Sequence, residues 1–162
     1  MAIASQCAYL RPVAILDFEQ LACTQGPLLG LDPGTKTLGL AISDTTRLIA
    51  SPLKTLKRTK FKANGPELLD IYRDNGAVAL VVGLPLNMDG SEGPRAQGVR
   101  DFVTNLLRLE DLPIFFQDER MSSQAVERGM LEADMSRKRR AEEIDRAAAA
   151  YILQGVLDRL RA

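Results

Sequence analysis

Leu28–Asp44 reads LLGLDPGTKTLGLAISD, and the fold can be worked out from this stretch outward. The Pro-Gly pair after Asp32 favours a tight turn, which predicts one strand over Leu28–Asp32 and a second over Thr37–Asp44. The second run alternates large with small residues, a pattern typical of a strand. The first strand ends at a carboxylate. Taken alone the stretch is a hairpin turn, and further carboxylates directed to the same place would indicate a functional site.

The composition limits the chemistry that this protein can perform. The chain has 162 residues, 46% of them hydrophobic and 26% charged, as expected of one globular domain. Its 21 basic and 21 acidic residues give a formal net charge of zero, so a nucleic-acid partner must be argued from where the cations lie. The absence of histidine excludes Ser-His-Asp and Cys-His catalysis and histidine metal sites. Hydrolysis would therefore depend on carboxylates, lysines or bound metal.

The N-terminal region differs from the rest of the chain. It lacks the early positive charge of a signal peptide, and Arg11, Asp17 and Glu19 interrupt its apolar residues. Apolar runs in the sequence fall short of the roughly 20 residues that span a bilayer. We therefore expect a cytoplasmic protein with no membrane partner. We predict a partly irregular N-terminal extension over residues 1–26 and one folded domain over residues 27–162.

The remaining patterns predict a mixed α/β domain. Strands joined by short turns pair in antiparallel fashion, whereas strand–helix–strand crossovers are parallel and right-handed. We therefore expect a five-stranded sheet, with three antiparallel strands followed by parallel ones, flanked by helices. After the first two strands, the predicted elements are a strand over Arg47–Leu56, a helix starting near Asn64 and Pro66, a strand over Ala77–Gly83, a helix beyond Pro94, a strand over Leu112–Gln117, a helix from Ser122 or Ser123 to about Ala133, and a closing helix from about Lys138 to Arg161.

Carboxylates converge on one edge of this predicted sheet. Asp32 and Glu119 each follow a parallel strand, and the carboxyl edge of such sheets is where ligands bind. Asp145 is the third candidate, with alanines and Ile152 on the same helical face. One alternative places Asp145 against the core beside Asp32, with the alanines packed on Gly30. The other leaves Asp145 solvated in the first helical turn and paired with an arginine.

Carboxylates without histidine suit hard, oxygen-preferring cations, and we expect Mg²⁺ or Mn²⁺. Two such ions about 3.5–4 Å apart can activate water against a phosphodiester. Cations near the candidate site could hold the phosphates. Lys54–Lys62 carries five cations and is interpreted either as a solvated loop or as a phosphate-contacting patch. The residues assigned to nucleic-acid binding are Lys36, Arg120, Arg137, Lys138, Arg139 and Arg140.

Four motifs in order resemble the YqgF family, a group related to Holliday junction resolvases and also described as processing the small-subunit ribosomal RNA precursor. They are LLGLDPGTKTLGLAISD, VVGLPLNMDGSEGPRA, DERMSS and SRKRRAEEIDRAAAAYILQ. The resemblance implies a ribonuclease H-like fold and a RuvC-type nuclease site at Asp32, Glu119 and Asp145. It also implies a site-shaping loop, whose Asn87 we assign to nucleic-acid binding. RuvC-like resolvases often carry a fourth acid where this chain has Ala148.

The expected function is a metal-dependent nuclease, a hydrolase of ester bonds. Its expected partner is structured RNA, namely the 5′ end of the 16S rRNA precursor in the assembling ribosome, and its expected state is a monomer or weak homodimer. The nearest alternative is a resolvase of four-way DNA junctions, which needs a symmetric dimer. A non-catalytic RNA-binding assembly factor is another. Asp-x-Gly-Thr also resembles the phosphate loop of actin-like ATPases, although those proteins use two such domains.

Overall fold

The computed structural model describes residues 14–119 and 137–162, and for residues 137–146 it describes the backbone. Five strands form one sheet in the order β3-β2-β1-β4-β5. The predicted helix from Ser122 or Ser123 to about Ala133 lies outside the described residues. The elements are α1 (Phe18–Cys23), β1 (Leu28–Pro33), β2 (Thr37–Ser43), β3 (Ala50–Lys57), α2 (Phe61–Asp74), β4 (Ala79–Leu84), α3 (Pro94–Leu109), β5 (Ile114–Asp118) and α4 (Arg137–Arg161).

The sheet has the mixed topology that was predicted. β1 pairs with β2, and β2 with β3, in antiparallel fashion. β1 pairs with β4, and β4 with β5, in parallel. β1 extends one residue beyond the predicted end, because Pro33 pairs with Leu38. Pro52 lies on the edge strand β3, where a residue without an amide hydrogen is tolerated, and the register with β2 shifts beside it.

Helices cover both faces of the sheet, which explains the continuous apolar sequence of β4. All six residues of β4 are buried. One face packs against α2 and α3 through Leu31, Leu68, Val99 and their neighbours. The other packs against α4 and α1 through Val81, Leu153 and theirs. α4 therefore crosses the face of the sheet that carries Gly30, as the alanine-rich sequence predicted.

The largest boundary errors are at the starts of α2 and β3. α2 begins at Phe61 rather than near Asn64, because buried Asn64 organises the preceding loop from inside the helix. Its Oδ1 accepts from the Thr59 amide at 2.7 Å, and its Nδ2 donates to the Lys57 carbonyl at 3.2 Å. β3 begins at Ala50 rather than at Arg47, because Arg47 adopts a left-handed conformation with φ 58° in the turn.

Residues 14–26 pack against the sheet. Ile15 forms a parallel bridge with Ile114 of β5, and Asp17 caps α1 by accepting from the Gln20 amide. Leu21 of α1 is fully buried. The division of the chain at residue 26 stays a prediction. Within the described ranges, no helix combines the length and the apolar character needed to span a membrane.

Candidate active site

Asp32 and Glu119 lie at the carboxyl edge of the sheet, which is formed by the ends of the parallel strands β1, β4 and β5. Asp32 is the penultimate residue of β1, and Glu119 directly follows β5. The Glu119 amide donates to the Leu84 carbonyl at 3.2 Å, which continues the pairing of β5 with β4. The two carboxylates therefore flank the end of β4, and their side chains share a hydrogen bond. The structure brings this predicted pair together, and their catalytic role stays a prediction.

Gly83 on β4 makes room for this arrangement. A Cβ atom at Gly83 would lie 2.6 Å from Glu119 Oε2 and 2.8 Å from Ile152 Cδ1. Both distances are shorter than real contacts of a Cβ atom, so a side chain at this position would displace the Glu119 carboxylate. Gly83 was not among the predicted site residues. Its position at the end of the apolar AVALVVG run was the available signal, since a glycine in a strand often marks a close approach.

Burial and a neighbouring like charge disfavour the charged form of Glu119. Its pKa is raised from 4.5 to about 8, first because burial removes water from the carboxylate and then because Asp32 repels a second negative charge. The hydrogen bond with Asp32 and the nearby charge of Asp118 act in the same direction. The pKa of about 8 favours the protonated form of Glu119 at neutral pH. A divalent cation would relieve the same repulsion.

Arg95 is a cation at this site that was not among the predicted site residues. It lies in the first turn of α3, directly after the loop that leaves β4, and its side chain is exposed. Its charge lowers the pKa of Glu119 and so opposes the effect of Asp32. The sequence did contain a signal for Arg95. The loop after β4 was predicted to lie at this edge, and Arg95 directly follows the Gly93-Pro94 pair that ends the loop. Arg95 thus lies within electrostatic range of the carboxylate pair.

The turn after Asp32 is held from the side by Arg58. The Gly34 amide donates to the Asp32 carbonyl at 3.1 Å. A Cβ atom at Gly34 would lie 2.8 Å from the Thr37 carbonyl oxygen, so the turn needs glycine here. Arg58 Nη1 donates to the Gly34 carbonyl at 2.6 Å. Lys36, assigned to nucleic-acid binding, lies exposed at the tip of this turn.

Asn87 organises the loop that follows β4. Its amide donates to the Ser91 carbonyl at 2.8 Å, and its side-chain Nδ2 donates to Ser91 Oγ at 3.0 Å. Its carbonyl accepts from the amide of Gly90, which adopts φ 87°. The loop therefore has a defined shape beside the carboxylate pair. Contact of Asn87 with nucleic acid stays a prediction.

The direction of α4 determines which edge of the sheet the backbone of Asp145 approaches. Gln154 binds Ala50 and Leu48 at the sheet edge opposite Asp32, with 2.8 Å from the Ala50 amide to Gln154 Oε1. Nearer the middle, the backbone oxygen of Ala149 lies 3.2 Å from the Cβ position of Gly30. α4 therefore runs antiparallel to β1, and its backbone one turn before Ala149, at Asp145, lies toward the edge that carries Asp32.

Several predicted site residues have side chains that lie outside the described residues. The side chain of Asp145 lies outside the described residues, so both of its alternatives stay open. Ala148, the position at which the resemblance implies a fourth acid in RuvC-like resolvases, is buried. The side chains of Arg120, Arg137, Lys138, Arg139 and Arg140 also lie outside the described part.

Comparison with known proteins places the chain among nucleases. The chain is 62% identical over 144 residues to a protein of Paracoccus denitrificans named "Putative pre-16S rRNA nuclease", covering 89% of this chain and 91% of that protein. Proteins of the same name in Rhodobacter capsulatus and Phenylobacterium zucineum are 56% and 53% identical, covering 89% and 92% of this chain and 91% and 97% of theirs.

Solved structures confirm the ribonuclease H-like fold that the motifs implied. The RuvC protein of T. thermophilus, solved in complex with a Holliday junction substrate, matches with a TM-score of 0.51 and 17% identity. That match covers 83% of this chain and 96% of RuvC. A fowlpox virus resolvase matches with a TM-score of 0.50 and 11% identity, covering 84% of this chain and 99% of the resolvase. These likenesses concern the fold.

The family model described as "RuvX: Holliday junction resolvase" matches residues 26–159. This span contains all four motifs that suggested the YqgF family. The protein therefore belongs to the RuvX/YqgF family.

Proposed function

We propose that the protein is a metal-dependent nuclease that hydrolyses phosphodiester bonds at the 5′ end of the 16S rRNA precursor. The observation that carries the proposal is the pair of facing, partly desolvated carboxylates, Asp32 and Glu119, at the carboxyl edge of the sheet. The names of the relatives favour ribosomal RNA as substrate. Work on the assembling ribosome would place the protein in the cytoplasm.

The donor set fits Mg²⁺ or Mn²⁺. Both described donors are carboxylates, and burial together with the charge of Asp32 raises the pKa of Glu119. Within the described residues, no three potential protein ligands gather at one point. Asp145 would supply the third carboxylate from α4. When bound, the cation would act as a Lewis acid that activates water and stabilises the leaving oxygen.

The chain would prepare the site before substrate arrives. Gly83 leaves space for the Glu119 carboxylate, and Arg58 fixes the turn that follows Asp32. Arg95 supplies positive charge beside the pair, where a phosphate would enter. The cations assigned to nucleic-acid binding would hold the strand on either side, together with Asn87: Lys36, Arg120, Arg137, Lys138, Arg139 and Arg140.

The test is cleavage of an RNA that joins 16S sequence to its 5′ precursor, with Mg²⁺ or Mn²⁺. Wild type, Asp32→Asn and Asp145→Asn are compared with Asp70→Asn, which removes an exposed carboxylate from α2. We expect cleavage by wild type and Asp70→Asn and loss of cleavage in the other two. Equal cleavage by all four proteins would mean that the site is wrong or that the activity is a contaminant.

A second candidate is a resolvase of four-way DNA junctions, favoured by the description of the matching family model. Two symmetric cuts in one junction require two sites in a dimer, whereas precursor trimming requires one. We expect a monomer or weak homodimer. If the protein is a stable dimer that cuts four-way DNA junctions and does not cut the RNA, the resolvase function would replace the proposed RNA processing. Full cellular function of Asp32→Asn would instead favour a non-catalytic assembly factor.

A further inference from the structure

We propose that Lys36, Lys57, Lys60 and Lys62 form a basic ridge along which a nucleic-acid strand leaves the carboxylate pair. This inference rests on the proposed nuclease function and adds the path of the substrate. It also chooses between the two interpretations of the Lys54–Lys62 segment, in favour of phosphate contact.

The ridge is continuous with the candidate site. Lys57, the last residue of β3, pairs with Thr37 on β2. The Arg58 amide donates to the Lys36 carbonyl at 2.9 Å, so the exit from β3 runs beside the turn that follows Asp32. A strand bound across the carboxylates would therefore meet Lys36 first and the lysines after β3 next.

The ridge lysines are available for binding. Lys36, Lys57, Lys60 and Lys62 are exposed. Among the described residues, the only lysine of the Lys54–Lys62 segment in an ion pair is Lys54, whose Nζ lies 3.7 Å from Glu67 Oε1. The segment, KTLKRTKFK, contains no acidic residue. Its positive charge therefore has no counterpart within the segment.

The backbone beneath the lysines is fixed, unlike that of a freely solvated loop. Buried Asn64 binds the Thr59 amide and the Lys57 carbonyl. The ring of Phe61 packs edge-on against Phe102, with ring centroids 5.3 Å apart, and the Arg58 guanidinium lies 5.7 Å from the Phe102 centroid. The aromatic ring of the segment is thus used for packing, and the segment presents ammonium groups outward.

These features define the ligand as a phosphodiester backbone. Lysine ammonium groups contact phosphates as point charges and carry no base information. Each phosphate contact on a single strand contributes about −0.7 to the slope of log affinity against log salt. Loss of three contacts should therefore reduce the steepness of that slope by about two. RNA and DNA share this backbone chemistry, so the ridge should serve both.

The test compares K57Q/K60Q/K62Q with R73Q/R108Q/R161Q. Both triples remove three positive charges, and the control arginines are exposed near the C-terminal ends of their helices, at the opposite edge. Binding of a labelled RNA hairpin with a single-stranded tail, and of DNA of the same sequence, is measured over a NaCl series without divalent metal. Metal-dependent cleavage of the RNA is measured in parallel, and thermal melting confirms folding.

We expect the ridge variant to bind both probes more weakly, with the slope reduced by about two, and to raise KM for cleavage with kcat retained. The control should keep the wild-type slope. A ridge variant with wild-type affinity and slope would overturn the inference, as would wild type that binds neither probe. If binding depends on the ridge lysines but wild type shows no metal-dependent cleavage, the ridge would be supported as a binding surface and the proposed nuclease function would be contradicted.

Discussion

Glu119 and Asp44 are both acidic residues that follow strands, and their surroundings at opposite edges of the sheet differ. Asp44 accepts from the Leu48 and Ile49 amides at 2.8 and 2.9 Å. These bonds, with those from Thr46, lower its pKa from 3.8 to about 2. Glu119 faces Asp32, and its pKa rises to about 8. The protein thus stabilises the charged form of Asp44 with its own backbone and disfavours the charged form of Glu119 through burial and a like charge.

The largest expected effect is on kcat/KM, which should fall on substitution of Glu119 and stay unchanged on substitution of Asp44. Glu119→Gln removes a proposed metal ligand, and loss of several kcal/mol of charge stabilisation should lower kcat/KM by about 100-fold or more. Asp44→Asn should keep wild-type kcat/KM, because Asp44 lies at the other edge. Metal-dependent RNA cleavage measures both. Equal losses in the two variants would show that the contrast between the edges has no bearing on catalysis.

Two glycine-to-alanine substitutions test how closely Glu119 packs against β4. Gly83→Ala would place a Cβ atom 2.6 Å from Glu119 Oε2 and 2.8 Å from Ile152 Cδ1. Overpacking of this kind costs about 1–3 kcal/mol, and activity should fall with it. Gly98→Ala in α3 is the control, because the added Cβ would meet nothing within 4 Å apart from its chain neighbours and the backbone of its own helix. Chemical denaturation should find Gly98→Ala as stable as wild type or about 0.5–1 kcal/mol more stable. Equal stability of Gly83→Ala and wild type would contradict the crowded geometry.

The pH dependence of stability should differ in sign between the two edges. In metal-free protein, the raised pKa of Glu119 lets the folded state keep a proton that the unfolded state loses above 4.5. Stability should therefore fall as pH rises from 4.5 to about 8, by at most about 1.4 kcal/mol per pH unit. The lowered pKa of Asp44 should stabilise the fold above 3.8, an effect lost as pH falls through about 2.

Substitutions separate the two contributions to that profile. Glu119→Gln should remove the decline between pH 4.5 and about 8 and melt above wild type at neutral pH. Asp44→Asn should melt below wild type at neutral pH, because it loses an ionised acceptor of backbone hydrogen bonds. Thermal melting in EDTA across this range is the measurement. A melting temperature of Glu119→Gln below that of wild type at pH 7 would refute the proposed repulsion.

The smallest expected effect concerns the support of the Asp32 turn. Arg58→Met keeps much of the side-chain volume and removes the hydrogen bond to the Gly34 carbonyl. Bonds of charged donors contribute about 1.5–3 kcal/mol, and we expect the lower end because Arg58 is only half-buried. Calorimetry should also find weaker Mn²⁺ binding. Unchanged Mn²⁺ affinity in Arg58→Met would limit Arg58 to stability.

The sequence predicted most of what depends on strand direction. Asp32 and Glu119 follow parallel strands, so their common edge was predictable from the order of elements. The close approach at Gly83 was not, because it depends on how Ile152 of α4 and the Glu119 side chain meet over β4. The α2 boundary was missed because Asn64 binds the preceding loop in three dimensions. Arg95 was missed because its importance lies in its distance from Glu119 rather than in a motif.

The central claim is that the carboxylate pair holds a divalent cation, and crystals soaked in Mn²⁺ test it most directly. Anomalous diffraction should place manganese between Asp32 and Glu119, with the Asp145 carboxylate as a further ligand. The same soak of Glu119→Gln crystals should lose or weaken that peak. Manganese elsewhere on the protein, or equal peaks in both proteins without contact to Glu119, would contradict the account.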